Sequence, residues 1–130
     1  MAAILGHVPH EYSIDVARRL VYIRMWGEVT QAEVMATRSE VANDARLRPE
    51  FSELIDLTGL TSVNTITTND VRAIASAEID SVARRAFVTP DPAAFGFVRM
   101  FASLREVKNA RDDVAVFRKI EEARQWLGLS

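Results

Sequence analysis

FSELIDLTGLTSVNTITTNDVRAIA, residues 51–75, is the stretch on which the fold turns. Phe51 to Leu57 reads as a strand, and Leu54, Ile55 and Leu57 are too continuously apolar to leave one side wet. Such a strand is covered on both faces and belongs inside a parallel sheet. Asp56 closes it, and a Thr/Ser/Asn-rich loop over residues 58–68 follows. Thr67 with Asp70 three residues later then makes a capping box ahead of Val71, Ile74 and Ala75, a short helix ending near Glu78. Buried strand, polar loop and helix form one repeating step of an α/β sheet.

Toward the N-terminus, EYSIDVARRLVYIRMWGE (11–28) reads as a hairpin. Tyr12, Ile14 and Val16 alternate with polar or small neighbours, and Ala17, Arg18 and Arg19 make the reversal. The second arm alternates Val21, Ile23 and Met25 with Tyr22, Arg24 and Trp26. Large residues on both sides place it inside the sheet. Thr30 and Glu33 form a first capping box for a helix from Thr30 to about Arg46, with Val34, Thr37, Val41 and Ala45 inward and Pro49 beyond its end.

Toward the C-terminus, Arg84 to Thr89 is a strand, and Asp91 caps a helix whose first residue is Pro92. That helix runs to about Val107 with Phe97, Met100, Phe101, Leu104 and Val107 on one side. Val114 to Phe117 is the last strand, and Ile120, Ala123, Trp126 and Leu127 mark a final helix. The expectation is a single α/β domain, ββαβαβαβα, with a mostly parallel sheet and an antiparallel first strand. Residues 1–10 are expected to form an N-terminal tail and residues 11–130 the domain.

The bulk properties narrow the function. With 130 residues, 48% of them hydrophobic and 26% charged, the chain has the balance of a soluble globular domain with its own core. A net charge of −2 gives no general attraction to nucleic acid or an anionic membrane. The absence of cysteine excludes disulfides, thiolate nucleophiles and zinc ribbons. The opening residues have no basic, long-apolar leader pattern, and no window approaches a membrane span, so a cytoplasmic location is expected.

Side chains able to do chemistry are sparse. His7 and His10, with Glu11 beside them, have a spacing that could hold a metal, but a solvated tail explains them more simply. Five unclustered glycines provide no phosphate-binding loop. Tyr22, Arg24 and Trp26 share one strand face, an arrangement that RNA-binding sheets use, although a face covered by helices is the expectation here. Asp56 stands where α/β sheets bind ligands, yet it also fits a side-chain cap on the Thr58-Gly59 turn. Arg84 and Arg85 are an anion clamp or a solvated beginning to their strand. Phe95 departs from the apolar stripe of its helix and is a candidate interface residue.

WGEVT (26–30), RPEFSELIDLTGL (48–60), RRAFVTP (84–90), AFGFVRMF (94–101) and VFRKIEEARQWL (116–127) together, in this order, resemble the STAS superfamily of sulfate-transporter and anti-sigma-factor-antagonist domains. The likeness spans roughly residues 11 to 128 and is nearest to small stand-alone bacterial members of undefined role. It implies a SpoIIAA-like fold and no catalytic activity. In the antagonists, an Asp-Leu-Ser-Gly strand end leads to a turn whose serine is phosphorylated, switching partner binding. Asp56-Leu57-Thr58-Gly59 matches the first part. The second is not matched: Asn64 and Thr65 stand near where Asp-Ser would fall, Ile66 follows and no glycine precedes the helix, leaving Ser62, Thr65 and Thr67 as weak candidates.

The resulting expectation is a non-enzymatic regulatory or protein-binding domain without metal or cofactor, with an unidentified protein partner. Its interaction loop would comprise Asp56, Thr58, Ser62, Asn64, Thr65, Thr67 and Thr68, with Phe95 a candidate contact in a homo-oligomer. No nucleic acid partner and no membrane span are expected. Related lipid-exchange domains imply an alternative: a carrier of a small apolar ligand or lipid, held between the sheet and the helix of residues 92–107.

Overall fold

The computed structural model describes residues 10–77, 84–107 and 113–129. Its elements are β1 (His10–Asp15), β2 (Leu20–Glu28), α1 (Gln31–Ala42), β3 (Ser52–Ser62), α2 (Thr68–Ala77), β4 (Arg84–Val88), α3 (Pro92–Val107), β5 (Asp113–Phe117) and α4 (Ile120–Trp126). The order is the expected ββαβαβαβα. The strands lie side by side in chain order, β1 antiparallel to β2 and every later pair parallel. β3 is therefore the middle strand, with a parallel neighbour on each side, as its apolar run requires.

Period-two alternation divides the side chains between two faces. Val21, Ile23, Met25 and Ile55 pack with Val41 of α1, and Phe87 continues that face to Val71 and Ala75 of α2 and Phe101 of α3. Leu20, Leu54, Ala86 and Val88 point the other way and bury against Ala123 of α4. Three helices thus cover one face, and one short helix covers part of the other. Arg84 fastens α4 by donating from Nη1 to the Trp126 carbonyl, with its guanidinium 3.9 Å from the Trp126 ring centre.

Several local expectations change. α1 ends at Ala42 rather than near Arg46, leaving Ala45 exposed. Asp44 is the cause: it accepts the Arg46 amide at 2.9 Å, the Arg46 guanidinium at 2.8 Å and the Tyr12 hydroxyl at 2.9 Å, which turns the chain away. His10 is not in a solvated tail but opens β1, with Nε2 2.9 Å from Glu40 of α1; His7 lies outside the described residues. Along α3 the buried stripe is Ala94, Val98, Phe101 and Arg105, flanked by Phe97, Met100 and Leu104. Val107 falls on the far side of that helix and is 83% exposed. The end of α2 at Glu78 is outside the described residues, which reach Ala77.

Candidate functional site

The Asp56 region does not end a strand. β3 runs on to Ser62 beside β2, because Arg24 pairs with Asp56 while Trp26 pairs with Gly59. Two steps along β2 thus match three along β3, which is a β-bulge. The Asp56 carboxylate fastens it: Oδ1 accepts from the Thr58 amide at 2.9 Å and the Thr58 hydroxyl at 2.6 Å, and Oδ2 accepts from the Tyr22 hydroxyl at 2.9 Å. Gly59 suits the close pairing, since a Cβ there would lie 3.0 Å from the Trp26 Cβ, a tight contact that the strands would have to ease by a few tenths of an ångström. The Asp-Leu-Thr-Gly segment is in this way a bulge motif.

Its charge state follows from these partners. Burial pushes the Asp56 carboxyl up, but the donors from Thr58 and Tyr22, with the Arg24 charge, outweigh burial and hold it below the usual carboxylate range. Burial, then the hydrogen bond to Asp56, pushes the Tyr22 phenol up to about 12. An aspartate so held is a weak base, and its oxygens serve the bulge.

The bulge also decides what the strand faces. In a regular strand Leu57 and Leu60 would point to opposite sides; the inserted residue brings both to the helical face. There they help enclose a cavity of about 120 Å³ between the sheet and the helices. Ile23, Met25 and Ile55 form its floor, Val71 and Ile74 one wall, and Phe97, Val98 and Phe101 another. Val63 and Ile66, from the turn before α2, complete it. Phe97 and Phe101 both face this space, while Leu104 packs nearby without lining it. The Thr37 hydroxyl on its border donates back to the Glu33 carbonyl at 2.9 Å, and Arg38, whose Nη1 donates to Glu53 at 2.8 Å, also borders this almost wholly apolar space.

The seven hydroxyl, amide and carboxyl residues singled out from sequence do not converge on one point. Asp56 and Thr58 hold the bulge, and the Ser62 hydroxyl accepts the Asn64 amide at 3.0 Å. Thr67 forms the expected box, its amide donating to Asp70 at 2.9 Å and its hydroxyl accepting from the Asp70 amide at 3.1 Å. Asn64, Thr65, Thr67 and Thr68 are exposed around the turn. The same turn sends Val63 and Ile66 inward, an assignment that the apolar residues interrupting its polar run could have signalled.

Three further residues differ from expectation. Arg85 is neither solvated nor at a strand's wet margin: it is 1% exposed, because it pairs across the sheet with Glu53, whose Oε1 lies 4.0 Å from its Nε. Arg38 of α1 reaches the same Oε1 with Nη1 at 2.8 Å. The Tyr22, Arg24 and Trp26 face is not roofed by helices as expected. Among the described residues Tyr22 is half-buried against the cluster of Leu20, Leu54 and Ala123, while Arg24 stays exposed with its guanidinium 5.2 Å from the Trp26 ring centre. The Phe95 ring lies under the Arg118 guanidinium at 4.2 Å, a contact within the chain that accounts for its departure from the stripe.

Among the described residues no three His, Asp or Glu side chains are grouped to hold a metal ion, and no helix is long and apolar enough to cross a membrane. Among the described residues the architecture, a five-stranded mixed sheet with an antiparallel first strand and four helices, is a SpoIIAA-like fold. It is similar to the crystal structure of an uncharacterised DUF3478-family protein with a SpoIIAA-like fold from Shewanella loihica PV-4. The TM-score is 0.53 at 19% identity, over 91% of this chain and 93% of that one. No family model matches the sequence, and no curated protein matches it.

Proposed function

We propose that the protein is a non-enzymatic STAS-type binding domain that holds a small apolar ligand and presents the turn of residues 63–67 to a protein partner. The observation that carries this reading is the cavity, walled by aliphatic and aromatic side chains from the sheet, α2, α3 and that turn. A space of about 120 Å³ is on the scale of cavities that stay dry and take a benzene-sized guest. It suits a small aromatic or a short aliphatic chain.

The partner-binding part rests on the two sides of the turn. Val63 and Ile66 touch the cavity, while Asn64 and Thr65 between them stand in solvent. Occupancy of the cavity therefore bears on the same backbone that displays the exposed side chains. A ligand shifts such a loop only by its differential affinity for two loop states.

Titration with 1-hexanol, followed by methyl NMR of Ile55, Val71 and Ile74 and by the amides of residues 63–67, tests both parts. Saturable shifts at the three methyls are expected, with the turn amides moving in step. Unmoved methyls at millimolar hexanol would remove the ligand reading. Moving methyls with unmoved turn amides would remove the coupling to a partner.

A further inference from the structure

Three of the chain's six phenylalanines, Phe87 of β4 and Phe97 and Phe101 of α3, line the apolar cavity. Positions 97 and 101 stand about one turn apart on the same side of α3, and β4 brings Phe87 against Phe101 from the sheet. The Phe87 and Phe101 ring centres are 5.7 Å apart with their planes inclined at 63°, an edge-to-face pair. Met25, with a polarisable thioether, lies in the floor. Core side chains ordinarily interdigitate until no such gap remains. Here about 120 Å³ stays open beside the aromatic pair.

From this arrangement we infer that the ligand is a single-ring aromatic hydrocarbon, bare or carrying a short alkyl group, which joins the phenylalanines as a further ring. The inference deepens the proposed function and rests on its ligand reading. Size favours one ring, since a cavity of about 150 Å³ with a similar aliphatic and aromatic lining holds benzene. Polarity favours a hydrocarbon. Among the described residues Thr37 and Arg38 are the polar members of the lining; the Thr37 hydroxyl donates to the Glu33 carbonyl at 2.9 Å, and Arg38 Nη1 donates to Glu53 at 2.8 Å. A guest that carried donors or acceptors inside would bury them among hydrocarbon without partners, a cost that a bare ring does not incur. Ring chemistry favours an arene over a saturated ring. Phenyl edges are partly positive and phenyl faces partly negative, so an aromatic guest gains from the three phenylalanines an attraction that goes beyond buried area.

The test titrates two six-carbon rings, benzene and cyclohexane, into the wild-type protein and into Phe97→Leu and Phe101→Leu, reading the Ile55, Val71 and Ile74 methyls. The guests differ in hydration and bulk, so the quantity read is the ratio of their dissociation constants and its change between proteins, in which those differences cancel. Loss of either ring should shift the ratio toward cyclohexane by about fivefold, the worth of one aromatic pair. Val98→Ala enlarges the same cavity without removing a ring and should leave the ratio within about twofold of wild type. A ratio unmoved by both phenylalanine variants would overturn the aromatic assignment while leaving the apolar site intact. A shift in Val98→Ala as large as theirs would overturn it as well, because volume and not ring chemistry would then set the preference. Methyls that neither guest moves in wild type would remove the underlying ligand reading, and the inference with it. If the more deeply buried Phe101→Leu does not fold, the half-buried Phe97→Leu decides.

Discussion

The two faces of the sheet solve the same packing problem differently. On the helical face, α1, α2 and α3 cover the strands, yet a cavity and a buried ionic cluster remain inside. On the other face, among the described residues, α4 helps bury Leu20, Leu54, Ala86 and Val88, and the β2 side chains beyond it reach solvent or half-reach it. The covered face tolerates features that close packing would eliminate, and imperfect packing at a buried place is a stronger pointer to binding than residues exposed at an edge. The first test of that contrast is to break the covered face at its ions. Glu53→Ala leaves the Arg38 and Arg85 guanidinium groups without the carboxylate they share. A loss of about 3–5 kcal/mol is expected for removing one partner of a buried pair. Urea unfolding would measure it, and a loss below about 1 kcal/mol would mean that the cluster is solvated enough to be treated as surface.

Tyr22 is where the partly covered face meets the bulge that shapes the cavity, so Tyr22→Phe probes both faces at once. Removing the hydroxyl takes one of three donors from Asp56, and a loss of about 1.5 kcal/mol is expected for a hydrogen bond to a charged acceptor. Its pH dependence is specific. The Tyr22 phenol is raised from 10.0 to about 12, so its contribution is whole below pH 10 and disappears as pH climbs toward 12. The Asp56 carboxyl is depressed, so its contribution is whole above the ordinary carboxylate range and disappears as pH falls through its folded value. Thermal melts of the two proteins should differ by a constant amount through the neutral range and converge at both extremes. Convergence at only the alkaline end would show that the Thr58 donors alone hold Asp56 ionised.

These two positions also mark how far the sequence can be read. Element order, the middle place of β3 and the capping boxes at Thr30 and Thr67 were legible, because each depends on residues within a few positions of one another. The bulge was not. Asp56-Leu57-Thr58-Gly59 has turn chemistry, and only the pairing with β2 makes it a strand that continues. The burial of Arg85 was equally hidden, since Glu53 lies on another strand and Arg38 on a helix between. The cavity was foreseen in place, between sheet and α3, but not in outline, because the bulge turns Leu60 toward it and the turn sends in Val63 and Ile66.

The turn between β3 and α2 offers a smaller effect that separates its local from its long-range role. Thr67→Ala deletes the hydroxyl that accepts the Asp70 amide, and a helix cap of this kind is worth about 1 kcal/mol. Because Val63 and Ile66 anchor the turn independently in the apolar space, the expected outcome is a lowered unfolding midpoint with hexanol affinity kept within about twofold, an effect on affinity of under half a kcal/mol. A larger fall in affinity would mean that the cap positions the cavity wall.

The smallest effect is expected on the uncovered face, and it is the sharpest check on the contrast between the two. Arg24 sits 3.4 Å from Glu11 with both side chains largely in water, and its guanidinium lies beside the Trp26 ring. An exposed pair of this kind contributes about 0–1 kcal/mol, because water screens the attraction and ordering two long side chains costs entropy. Arg24 also lowers the Asp56 carboxyl, but it is the last of the influences there, behind burial and three hydrogen bonds. Arg24→Ala should therefore move the urea midpoint by no more than about 0.5 kcal/mol, and raising the salt concentration should shrink even that. A loss above about 1.5 kcal/mol, insensitive to salt, would show that Arg24 is held in a drier setting than its exposure indicates. Something would then have to cover the β1–β2 surface, and the division into a covered, cavity-bearing face and an open one would no longer describe this protein.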